Sequence, residues 1–208
     1  DLSGQYAAQG QSQSRNEVEQ TLENAHAGNL RLVGIIPAYD VSHCTARIPG
    51  RQKRIIHQAL PFAVEEQLAQ DIERMHLALG ERQGSDWQVA AIDSETLEDH
   101  FEWLDEWGHP IAGIYADAML IPVSHCDWSV LLEQDQALVH ARGGAWYDVP
   151  ADGLGVFLES LLSGRQGDNP PKIHIHASAE TLEARRMELA ALEQNPDALV
   201  SQHELEQH

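Results

Sequence analysis

The chain has 208 residues, 42% hydrophobic and 22% charged, enough for one sizeable core or two small ones. Acidic residues outnumber basic ones 33 to 13, for a formal net charge of -20. That balance excludes phosphate-backbone binding by a basic face, so no nucleic acid is expected, and it argues against direct attraction to an anionic membrane surface. The two cysteines, Cys44 and Cys126, do not make a disulfide framework and point to a reducing compartment. No run approaches the roughly 20 apolar residues of a membrane helix and no signal peptide opens the chain, so a soluble segment is expected, whether free or cut from a membrane protein.

Residues 1–16 are polar, with Tyr6-Ala7-Ala8 as a strand remnant. Residues 17–26 read as a helix with Val18, Leu22 and Ala25 on one face, stopped by Gly28-Asn29. The nearly continuous apolar run at 30–37 predicts a buried central strand. Residues 41–48 alternate up to the Pro49-Gly50 turn, giving a strand. From Arg51 the period lengthens to a helix. Its inward face is expected to carry Ile55, Ile56, Ala59, Leu60, Ala63, Val64 and Leu68, with Pro61 kinking or restarting it. Residues 72–79 and 87–92 form a hairpin pattern. Ser94 is the expected N-cap of a helix running to Trp107, with Gly108 as its stop, and a strand follows at 111–115.

Beyond Ala116, strands are expected at 129–132, 137–141, 145–149 and 172–177, with helices at 152–162 and 179–192. The last twelve residues read as weakly ordered. Alternating strands and helices make this an α/β chain, and at least two sheets are expected.

Three stretches carry a family resemblance. Ile48-Pro49-Gly50-Arg51 is followed by Gln58-Ala59-Leu60-Pro61-Phe62, then by Glu65-Glu66, Ala69, Asp71-Ile72-Glu73, His76 and an apolar strand to Leu79. Asp117-Ala118-Met119-Leu120-Ile121-Pro122 is the third stretch. The pattern resembles type II secretion system L proteins over about residues 30–178 and most densely over 48–122. The resemblance implies an actin-like (RNase H-like) cytoplasmic fold with an inserted α/β subdomain. Residues 1–40 would belong to the first actin-like subdomain, 41–115 to the insertion, and 116–208 to the second actin-like subdomain with a poorly ordered tail. It implies a membrane helix and a periplasmic domain after this segment. The implied role is a non-enzymatic adaptor at the cytoplasmic face of the bacterial inner membrane. It would recruit the secretion ATPase (E protein) through that protein's amino-terminal domain and link it to the M protein and the platform, with a homodimer as a further implied option. The front of the chain departs from the family pattern, which usually includes an earlier strand.

The rival reading is an actin-like nucleotide-binding protein, or a pilus-assembly relative of the same fold. The residues give it little support. Neither Asp1-Leu2-Ser3-Gly4 nor Asp152-Gly153-Leu154-Gly155 places glycines where a phosphate turn needs them, and no P-loop is present. No nucleophile elbow occurs. Twelve histidines invite a metal. His174 and His176 lie two apart on a strand and share a face, so they could chelate. Ser42-His43-Cys44 and Ser124-His125-Cys126 place His beside Cys, a poor chelating pair on a strand. No cofactor and no structural metal are expected, and His76 is expected to be a packed strand residue. Trp103 and Trp107, four apart on one helix, read as core packing. Arg47, Arg51, Lys53 and Arg54 form a basic cluster in an acidic chain. A docking surface is placed on Arg51, Arg54, Gln58, Glu65, Glu66, Asp71, Glu73 and Arg74, beside a hairpin whose outer strand is an open edge.

Overall fold

The computed structural model describes residues 17–20, 31–49, 52–164 and 169–205. The expectations placed on Tyr6-Ala7-Ala8, on Asp1-Leu2-Ser3-Gly4 and on the helix beyond residue 20 lie outside these residues; residues 17–20 themselves are helical.

Three sheets are present among the described residues. In the first, β1 (Leu32–Ile36) pairs in parallel with β5 (Ile111–Ala116). In the second, β2 (Val41–Ala46), β4 (Asp86–Asp93) and β3 (Met75–Gln83) lie antiparallel in the order β2-β4-β3. The third runs β10-β9-β6-β7-β8. Its members are β6 (Trp128–Leu132), β7 (Gln136–Ala141), β8 (Trp146–Pro150), β9 (Lys172–Ala177) and β10 (Leu199–Glu204). The first three form a meander, and β9 and β10 add in parallel. Besides the helical residues 17–20, the described residues include α1 (Lys53–Val64), α2 (Ser94–Asp105), α3 (Leu154–Ser163), α4 (Ala179–Ala184) and α5 (Arg186–Glu193).

Each sheet contributes to its own or a shared core. In the five-stranded sheet Val130, Leu132, Val139, Ile173 and Ile175 meet Leu154 and Leu158 of α3 and Leu189 and Leu192 of α5. In the small sheet Cys44, Ala46, Val89 and Ala91 meet Ile56, Leu60 and Val64 of α1. Ile36, Val41, Ile92, Ala116, Leu138 and Trp146 form a central core where the three sheets join. Asp117 of the acidic-apolar link stitches this junction: its carboxylate accepts the backbone N–H of Ala38 at 2.9 Å and that of Ala118 at 2.6 Å. At Gly34 the side chain of Leu104 in α2 comes so close that an added Cβ would sit 2.6 Å from its Cδ1, so a larger residue there would force Leu104 to shift.

Several expectations need correction. The run at 30–37 is not a central strand among the described residues. β1 pairs only with β5, and Val33 and Ile35 are more than half exposed. A continuous apolar run states that a strand is sticky, not which of its faces is covered. Residues 111–115, assigned to the insertion, belong to β5, which pairs with β1 and leaves the small sheet to β2, β3 and β4. The tail is not weakly ordered at 199–204, which forms β10. The α4–α5 pair makes the crossover that parallel addition requires. Its polar sequence hid it, because only Ala198 beside it is buried and Val200 packs on the core. The N-cap of α2 is Asp93, not Ser94, its carboxylate accepting the N–H of Glu95 at 2.9 Å. Gly108, at φ 66, ends the turn after α2 as expected.

Leu60 and Phe62 lie two residues apart on α1, one 2% and the other 81% exposed. Leu60→Ala is expected to lose about 2–5 kcal/mol of stability, and Phe62→Ala to stay within about 0.5 kcal/mol of the parent. Urea unfolding of the two variants measures both; equal losses would contradict the packing of α1.

Candidate docking surface

α1 seats on the small sheet through a narrow stripe. Ile56, Leu60 and Val64 recur every fourth residue and are all buried. Ile55, expected inside, is 46% exposed, because a three-stranded sheet is too narrow to cover both flanks of the helix. The helix therefore turns outward Arg54, Ile55, Gln58 and Phe62, followed by Glu65 and Glu66 in a 3-10 turn. Pro61 sits inside α1 without breaking it, and its carbonyl accepts the N–H of Glu65 at the helix end.

Just beyond, Gln67 clamps the helix to one edge of the sheet. Its amide nitrogen donates to the carbonyls of Thr45, at 2.8 Å, and Ala63, at 3.2 Å, while its oxygen accepts the N–H of Thr45 at 3.0 Å. That side chain imitates a neighbouring strand and caps the β2 edge at Thr45. The opposite edge, β3, has no strand beside it among the described residues. The small sheet thus has one plugged edge and one open edge.

Of the residues assigned to docking from sequence, Arg54, Gln58, Glu65, Glu66, Asp71, Glu73 and Arg74 are exposed, and Arg51 lies outside the described residues. Two of these have local duties. Asp71 accepts the N–H of Glu73 at 3.1 Å, capping a 3-10 turn. Arg74 lies 3.2 Å from Asp93 and 3.5 Å from Glu95, so it neutralises the acidic start of α2. In the basic cluster Arg47 pairs with Asp86 through two contacts, at 2.8 and 3.3 Å, whereas Lys53 and Arg54 make no ion pair among the described residues. Phe62, the most exposed aromatic residue of the surface, was quoted only as part of a motif. Its signal was the helical period itself, since Phe62 falls off the stripe of Ile56, Leu60 and Val64.

The other face of the small sheet lines a cavity of about 480 Å³ against the central core. Ala78, Ala90, Ile92, Ile114 and Met119 give it apolar walls, and no lysine or arginine lines it. His76, expected to be packed, is exposed at its margin. The Trp146 indole is buried there, and its N–H has no partner among the described residues. Adjacent residues of β2 do point apart: Cys44 is buried under α1, while the His43 ring stacks edge-on to Trp146 at 4.8 Å and pairs with the Gln88 amide oxygen. Trp103, expected in the core, is 59% exposed beside Trp107, and Phe101 is 43% exposed; only Leu104 of that helix is fully buried.

A profile of the family described as type II secretion system (T2SS), protein L matches residues 3–208. The chain belongs to the type II secretion system protein L family. It is 30% identical over 170 residues to the protein L of Klebsiella pneumoniae, covering 79% of this chain and 41% of that one. With the protein L of Pectobacterium carotovorum subsp. carotovorum the identity is 31% over 110 residues, 53% of this chain and 26% of that one. This chain spans between 26% and 42% of the length of the curated relatives it matches. Among solved structures it is similar to the cytoplasmic domain of EpsL, an inner membrane component of the type II secretion system of Vibrio cholerae. That match has a TM-score of 0.64 and 21% identity, and covers 77% of this chain and 67% of that one. The PilM-PilN type IV pilus biogenesis complex contains a second similar chain, with a TM-score of 0.64 and 13% identity over 90% of this chain and 73% of that one. These neighbours establish the actin-like fold.

Burial holds the His43 imidazole below its ordinary value of 6.5; the Gln88 hydrogen bond opposes this and the His140 charge adds to it. The unfolded chain therefore takes up the proton first as pH falls. Stability is full above about pH 6.5 and declines as pH drops from there toward the folded-state value, by at most about 1.4 kcal/mol per pH unit for one group. His43→Gln is expected to flatten this decline, read by urea unfolding at about pH 7.5 and 5.5. An unchanged slope would show that His43 protonates equally in both states.

Proposed function

We propose that this chain is a non-enzymatic adaptor domain of the type II secretion inner-membrane platform. It acts at the cytoplasmic face and holds the secretion ATPase by that protein's amino-terminal domain. The observation that carries the reading is the outward face of α1. Phe62 stands 81% exposed, one helical turn from Gln58 and two from Arg54, with Glu65 and Glu66 beyond it. An exposed aromatic side chain within a polar rim is the composition of an interface hot spot. The open edge of β3, on the far side of the same small sheet, adds unpaired backbone groups.

Membership of the protein L family supports the secretion role, and the similarity to the cytoplasmic domain of EpsL supports the location. Among the described residues no helix is long and apolar enough to cross a membrane. The cleft favours binding over catalysis: its walls are apolar and supply no cation for phosphates.

Calorimetric titration of the chain with the amino-terminal domain of the cognate secretion ATPase, at low and high salt, tests the surface. Phe62→Ala is expected to weaken binding about tenfold or more at both salt concentrations, because its contribution is apolar. Arg54→Glu is expected to weaken binding at low salt, with the difference shrinking as salt screens it. Arg74 is unsuited to the same test, since reversing it would set like charge against Asp93 and Glu95. Parent affinity in both folded variants would move the docking site off α1. Magnesium ATP is expected to leave the melting temperature of the parent unchanged, and a clear rise would favour the nucleotide-binding reading.

A further inference from the structure

β10 brings a third histidine to the His174/His176 pair. The parallel register sets His203 directly opposite His176, and Ser201 opposite His174. His174 and His176 are two apart on β9, so all three side chains leave the same face of the sheet. Their ring centres are 4.8 Å apart for His174 and His203, 5.0 Å for His176 and His203, and 6.3 Å for His174 and His176. His174 and His176 are half-buried and line a cavity of about 470 Å³ with Asp117, Ser124 and Leu205; His203 is exposed at the edge. Neither the docking surface nor the apolar cleft uses any of the three.

We propose that His174, His176 and His203 form a binding site for one zinc-like divalent transition-metal ion. An imidazole nitrogen binds zinc at roughly 2 Å, with the ring centre about 1 Å behind it, so two ligand rings in a tetrahedral site lie with centres about 5 Å apart. The two separations to His203 match that value, and His174 and His176, at 6.3 Å, would have to draw together by about 1 Å on binding. Three imidazoles are a sufficient protein ligand set, leaving the fourth position open toward solvent.

As they stand, the rings pack on one another, and no three ligand groups among the described residues converge on a point. The ion would therefore capture the rings by turning them about their side-chain bonds, which for side chains at a sheet edge is a fast motion. Ser201 is placed to orient one of them: its hydroxyl lies 3.0 Å from Nε2 of His203, leaving Nδ1 for the metal. An outer oxygen partner of this kind commonly supports a metal-bound histidine. Burial first, then the neighbouring His203, shifts the His174 and His176 imidazoles below their ordinary value, the direction that favours metal binding. The consequence is mechanical. β10 is an edge strand joined to the sheet along β9 alone, and the ion would clip it there.

The test is zinc titration of the 208-residue chain by calorimetry, with cobalt as a spectroscopic probe. One equivalent is expected to bind, to raise the melting temperature, and to give the intense visible bands of tetrahedral cobalt. His203→Ala and His174→Ala are each expected to weaken zinc binding by more than about tenfold and to abolish those bands, while His57→Ala on α1 leaves both unchanged. Independently of any variant, zinc is expected to protect His174, His176 and His203 of the parent from diethyl pyrocarbonate modification. Several weak equivalent sites, full binding by folded His203→Ala, or protection confined to other histidines would overturn the proposal.

Discussion

β4 is the middle strand of the small sheet, and its pleat decides what stands on either side. Val89 and Ala91 point to α1, while Ala90 and Ile92 point to the cleft and Gln88 reaches across to His43. Because strand side chains alternate strictly, a slip of one residue would exchange the two sets and leave α1 facing a glutamine. With the register held, α1 has only a strip of small and branched side chains to sit on. It fully buries one residue in four, half-buries Ala59, Pro61 and Ala63, and turns the remaining flank outward. The exposed face of α1 thus follows from pairing a full-length helix with a three-stranded sheet.

The Leu60-Pro61-Phe62 motif divides its labour along that geometry. Leu60 fills the core, Pro61 sits half-buried in the last turn, and Phe62 stands in solvent. The helix then tightens into a 3-10 turn that presents Gln67 to the backbone of Thr45. A motif of this kind mixes residues that build the element with residues that the element displays. Local architecture alone would be satisfied by any apolar residue at 60 and almost any residue at 62.

The same competition between local and tertiary demands recurs elsewhere. Arg74 looks like a free steering charge in the sequence, yet it is committed to Asp93 and Glu95 at the start of α2. Trp103 and Phe101 look like core, yet α2 needs only Leu104 to fill the space opposite Gly34, and the aromatic rings remain outside. In both cases the residue type was read correctly, and the neighbour that decides its role lay far away in the chain.

The sequence by itself determined the α/β class, the hairpin of β3 and β4, the positions of α1, α2 and α3, and the family, because periodicity and motif spacing are local properties of the chain. It also determined that adjacent His43 and Cys44 must diverge, since strand pleating needs no tertiary information. It did not determine that β1 stands beside β5 alone among the described residues, that β5 stays out of the small sheet, or that residues 199–204 form a strand. Those outcomes depend on which segments meet. β10 is the clearest case: Ser201, Gln202, His203 and Glu204 carry no apolar alternation, and their strand conformation comes from backbone hydrogen bonds to β9. Pairing of that kind is nearly blind to side-chain type, so only the tertiary structure could place His203 beside His174 and His176.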